Sequence, residues 1–124
     1  MLTEKDYCDY DTCVALKELG FKGYSKYFYT DKEPQKLQQK GQLYFTIRTA
    51  TACDYVLAIH LYEAQKWLRE EKGVVVLVHH IMTLEGDWEW EISYRYSSKD
   101  MYHSYEEALL EGIKEAIKLL KEEK

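Results

Sequence analysis

The sequence predicts a single α+β domain over residues 1–124, of order αββαββα, with a mainly antiparallel sheet and helices packed on one face. Three observations carry this reading. LYEAQKWLREEKG (61–73) sets Leu61, Ala64 and Leu68 at helical spacing and stops at a glycine. VVVLVHHIM (74–82), an unbroken apolar run, is followed by WEWEISYRY (88–96), which alternates large apolar with polar residues as a half-buried strand does. SYEEALLEGIKEAIKLL (104–120) then combines a Ser104/Glu107 capping box with a stripe of Leu109, Ile113, Ala116, Ile117 and Leu120. These segments read as one compact αββα unit running from Leu61 to the C-terminus.

The first helix is predicted from about Thr12 to Leu19, with Asp11 as its N-cap and Gly20 as its stop. Thr12, Ala15, Leu16 and Leu19 form its inward stripe. YSKYFYT (24–30) reads as a strand, the polar span DKEPQKLQQKG (31–41) as an exposed loop, and LYFTIRT (43–49) as a second strand. Residues 50–60 are ambiguous, because Thr51 and Asp54 match a capping box. Tyr55, Val56 and Ile59 favour the extended form, which is the one adopted.

For the hairpin of 74–96, a turn centred on Glu85-Gly86 sets Ile81 opposite Trp90, His79 opposite Ile92, Leu77 opposite Tyr94 and Val75 opposite Tyr96. One face then carries those eight residues. The other carries Val76, Val78, His80 and Met82 against Glu89, Glu91, Ser93 and Arg95. Because the run from Val74 to Met82 is apolar on both sides, it is placed in the interior of the sheet.

Composition narrows function by exclusion. The net charge of −5 arises entirely from residues 61–124, and such mild acidity opposes broad nucleic-acid binding. No apolar stretch approaches the roughly 18 residues of a membrane span. MLTEKDYCDYD lacks the basic and apolar regions of a signal peptide, and three cysteines read as reduced thiols, so a cytoplasmic protein is expected. Cys8 and Cys13 have no second pair with zinc-site spacing, and no metal or cofactor is expected.

Chemistry-bearing motifs are sparse. There is no phosphate-binding loop, dinucleotide fingerprint, GxSxG or HExxH. His79 and His80 are adjacent on a strand, so they face opposite ways and do not share a metal; His80 is expected near Glu91 and His79 within the apolar face. A metal-dependent or acid–base enzyme built on His79, His80 and Glu91 is the third-ranked reading. The second is weak single-stranded nucleic-acid binding through residues 22–48, where Lys22, Lys26, Lys36, Lys40 and Arg48 interleave with Tyr27, Tyr29 and Tyr44.

LKELGF (16–21), LYEAQKWLRE (61–70) and the segment 104–120 resemble a group of uncharacterised small proteins of gut anaerobes and their phages and mobile elements. At the start of the middle helix the chain has Ala58, Ile59 and His60 where that group has an Ala-Pro-Thr-like sequence. The resemblance implies no activity; it implies a cytoplasmic, accessory setting. With twelve tyrosines, the leading expectation is a non-catalytic protein acting on an unidentified protein partner or on itself, with Trp88, Tyr96 and Tyr102 as interface candidates.

Overall fold

The computed structural model describes residues 4–23, 27–31, 33–39, 55–81, 87–93, 96–98 and 100–122. After a 3-10 turn, Glu4–Asp6, come α1 (Tyr10–Glu18), β1 (Tyr27–Thr30), β2 (Gln38–Gln39) and β3 (Tyr55–Leu57). Then follow α2 (Leu61–Glu71), β4 (Val76–His80), β5 (Trp88–Ile92), β6 (Tyr96–Ser97) and α3 (Tyr105–Glu122). The class is α+β with antiparallel pairing throughout, but the described strands form two three-stranded sheets instead of one. The chain divides into two compact units, Met1–His60 and Leu61–Lys124. That boundary is the residue at which helical spacing resumes in the sequence.

In the first unit, α1 is capped by Asp9, whose carboxylate accepts from the Thr12 N–H at 3.0 Å. This corrects the expected cap, Asp11, which lies in the first turn where its charge meets the helix's positive end. Both aspartates are plausible by sequence; the extended backbone of Asp9 decides between them. At the other end, the Phe21 N–H bonds the Leu16 carbonyl and the Gly20 N–H bonds that of Lys17. These are the two bonds of a Schellman close, and they need the positive φ (110°) that Gly20 supplies.

β1 is the central strand, with β2 and β3 on either side. Its Phe28, Tyr29 and Thr30 are buried on both faces, as a central strand requires. The polar span 31–41 is therefore not wholly a loop. Gln38 and Gln39 pair with Phe28 and Tyr27 through main-chain bonds, for which side-chain polarity is irrelevant. Residues 55–57 are extended, as expected. The LYFTIRT strand and the Thr51/Asp54 capping box lie outside the described residues.

In the second unit, α3 lies across β4 and β5 and packs against α2. Ser104 caps α3 by accepting from the Glu107 N–H at 3.1 Å, an interaction worth about 1 kcal/mol. Ala108, Leu109, Ile113, Ala116 and Ile117 turn inward from α3, and Leu61, Ala64 and Leu68 do so from α2. Gly112 is buried with them and allows close approach to the sheet: a Cβ there would lie 2.9 Å from Val76 Cγ1 and 3.0 Å from Trp90 Cβ.

The hairpin register differs from expectation. Val76 pairs with Ile92, Val78 with Trp90, His79 with Glu89 and His80 with Trp88. Ile81 N–H also bonds Asp87 O, so five residues, an odd number, separate the last pair. An odd link reverses parity. Val76, Val78 and His80 therefore share a face with Trp88, Trp90 and Ile92, while Leu77 and His79 join Glu89 and Glu91.

β5 also ends sooner than predicted, at Ile92. Ser93 takes a positive φ of 50° and donates its N–H to Val75, and the chain returns as β6 with Tyr96 opposite Ile92. The central strand is thus β5; the apolar run of β4 lies at one side of the described order β4-β5-β6. The cover of α3 accounts for Val76 and Val78 on one face only; Leu77, on the other, is half-buried.

Candidate functional site

The face of β5 that enters the core continues past the helix end as a row of rings. His80 lies 4.6 Å from Trp88, centroid to centroid, with planes inclined at 51°. Trp88 meets Tyr105 edge-on at 5.5 Å and 83°. Tyr105 in turn lies 6.2 Å from Tyr62. The row draws on β4, β5, the first turn of α3 and the first turn of α2. Trp88 is held by paired main-chain bonds with Tyr102, one at 2.8 Å and one at 3.0 Å.

The middle of the row, Trp88 and Tyr105, is half-buried, and its two ends, His80 and Tyr62 (51%), are exposed. Such rings are rigid, amphipathic and already fixed by their neighbours. They can supply contact area to another macromolecule with little loss of side-chain freedom.

Of the expected interface residues, Trp88 is the middle of this row. Tyr102 adjoins it through the backbone and is half-buried. Burial raises the Tyr102 phenol pKa against the opposing pull of the Trp90 indole, and the carboxylates of Glu111, Asp100 and Glu107 raise it further. Among the described residues the buried Trp90 indole N–H closes no hydrogen bond of good geometry, so its interaction with the Tyr102 hydroxyl is a weak one. Tyr96, 48% exposed on β6, has no ring contact with the row. Tyr62 and Tyr105 escaped sequence reasoning, and His80, singled out there as a metal or acid–base candidate, was not expected in an aromatic row. Their only signal is position: Tyr62 and Tyr105 each fall in the first turn of a helix.

The histidine assignments exchange places because the register does. His79 lies 3.3 Å from Glu91 Oε1 on the sheet face away from the core, and His80 stacks on Trp88. His60 bridges to Tyr7, with its ring edge-on at 5.3 Å. Among the described residues, no three of His, Cys, Asp and Glu gather closely enough to hold a metal ion.

Of the nucleic-acid candidates, Lys26, Lys40, Tyr44 and Arg48 lie outside the described residues. Tyr29 is buried, at 5% exposure, and donates its hydroxyl to the Cys8 carbonyl at 2.8 Å; this is a core residue, not a stacking platform. Tyr27 is half-buried beside Tyr7, Lys22 is exposed, and Lys36 is exposed near Glu33 at 3.8 Å.

Cys8 and Cys13 are both inaccessible to solvent. Cys13 Sγ donates to the Cys8 carbonyl and accepts from the Ile59 N–H at 3.3 Å. The adjacent Cys13 thiol and burial hold the Cys8 pKa well above its ordinary value. A raised thiol pKa removes the reactive thiolate at neutral pH. In a Cys53→Ser background we expect an aromatic disulfide reagent to modify native Cys8 and Cys13 at least about a hundredfold more slowly than the urea-unfolded chain. Labelling at the unfolded rate overturns this placement.

Among the described residues, no helix is long and apolar enough to cross a membrane. No protein-family profile, curated protein or solved structure matches the chain.

Proposed function

We propose that this protein is a non-catalytic binding module that acts through a protein partner or through a second copy of itself, by way of the row His80, Trp88, Tyr105 and Tyr62. The observation that carries the reading is the contiguity of these rings: each touches the next, and exposure increases outward. Interfaces are enriched in Trp and Tyr, and a few such residues supply most of the binding energy. Trp88 is the anchor, because its backbone is pinned by Tyr102 and its ring is held between His80 and Tyr105.

The test combines sedimentation across a range of protein concentrations with nuclease-treated affinity capture. Trp88→Ala should weaken the observed association by about thirtyfold or more, equivalent to about 2 kcal/mol. Lys36→Glu should leave it unchanged. The far-ultraviolet spectrum of the Trp88→Ala protein should match that of the parent. A monomer at every concentration with no partner retained after nuclease treatment sinks the reading. So does an association that Trp88→Ala leaves intact.

A further inference from the structure

The first unit contains a half-open pocket of about 200 Å³ between the end of α1 and strand β3. Its walls are Phe21, Tyr55, Val56 and Leu57, and its rim holds Lys17 and Lys22. Two features already described build it. The Schellman close at Gly20 turns the chain so that Phe21 and Lys22 follow α1 into the wall. Tyr55 is fixed edge-on against buried Phe28, at 6.3 Å and 85°.

Both lysines are exposed, and among the described residues neither forms an ion pair with a carboxylate. The pocket offers an apolar floor beside two positively charged side chains. Small-molecule sites take this form: mostly apolar walls with a few polar groups that fix orientation.

Size limits the occupant. A dry apolar cavity of about 150 Å³ accommodates a benzene ring, so this pocket holds one ring or a short chain together with one anionic head. We infer that the pocket binds a small apolar monocarboxylate, with the hydrocarbon body against Phe21, Tyr55, Val56 and Leu57 and the carboxylate between Lys17 and Lys22. This assignment concerns a different unit from the aromatic row and does not depend on it.

Benzoate is the probe, titrated into the full chain and followed through backbone amide NMR signals. The expected result is saturable shifts at Phe21, Val56 and Leu57, with a Kd at or below about 1 mM. Benzamide, which has the same ring and no charge, should bind about tenfold more weakly. The Lys17→Gln, Lys22→Gln double variant should weaken benzoate by a similar factor, since both changes remove the charge-assisted contact. Raising the salt concentration should weaken benzoate more than benzamide. Both lysines are exposed, so the double variant is expected to fold like the parent.

Three results each overturn the inference: linear shifts without saturation, saturable shifts confined to residues away from the pocket, or equal affinity for benzoate and benzamide.

Discussion

Phe28→Ala is expected to lower the unfolding free energy by about 3–5 kcal/mol, the range for a buried phenylalanine whose removal leaves a cavity. Phe28 has no solvent exposure and sits on the central strand of its sheet, opposite Gln38 and Leu57. Its neighbours on both sides of the chain are committed. Tyr29 bonds the Cys8 carbonyl, and the Thr30 hydroxyl accepts from Glu33 N–H. The backbone therefore has little freedom to collapse into the space. Phe28→Leu retains most of the volume and should lose less than half as much. Denaturant titration of the two variants checks both values, and a loss under about 1 kcal/mol for the alanine variant contradicts the packing described.

Gly112→Val should cost about 3 kcal/mol or more, against the usual rule for glycine in a helix. A mid-helix glycine ordinarily gains about 1 kcal/mol on replacement by alanine. Here the added Cβ would stand 2.9 Å from a Val76 methyl and 3.0 Å from Trp90 Cβ. The second contact is the harder to relieve, because a Cβ moves only with its backbone, and Trp90 is hydrogen-bonded in the centre of its sheet. Overpacking of this kind costs about 1–3 kcal/mol and grows with each added methyl. Gly112→Ala should therefore show a net loss of about 1 kcal/mol, and valine the larger one. If thermal melts show Gly112→Ala to be stabilising, α3 does not press on the sheet as described.

Legibility in the sequence followed the physics of each signal. The α3 helix was readable because its Ser104 cap and inward stripe are both local and agree with each other. On β5, the Trp-Glu-Trp-Glu-Ile alternation correctly grouped Trp90 with Ile92. β4 defeated the same reasoning, because Val75, Val76, Leu77 and Val78 are apolar on either face and carry no parity information. With β4 silent, the register rested on an assumed turn, and the odd link overturned it.

The aromatic row was illegible for another reason. Tyr62, His80, Trp88 and Tyr105 lie on four different elements, and nothing in local spacing brings four elements to one point. The pocket beside α1 was missed in the same way, since Phe21 and Leu57 meet only through the fold. Gly112 carries no local signal of its role: a glycine in a helical stripe looks like a weak position, and only the fold shows that a Cβ there would press on Val76 and Trp90.

The backbone of Cys8 has a bearing on how the first unit comes into being. Its carbonyl is shared by the Cys13 thiol and the Tyr29 hydroxyl, the latter 21 residues away, and its N–H reaches Ile59. Cys13 closes the same ring by accepting from Ile59, 46 residues on. Contacts of such separation must absorb loop-closure entropy before they return any stabilisation, and chains rich in them fold slowly. During synthesis, α1 can be capped and closed as soon as Phe21 is available, yet the bonds around Cys8 stay incomplete until Ile59 has left the ribosome. Elongation at about 5–20 residues per second makes that a wait of a few seconds. Throughout it the thiols of Cys8 and Cys13 have no completed core around them, so the protection they enjoy in the native protein is acquired only once the first unit is fully synthesised.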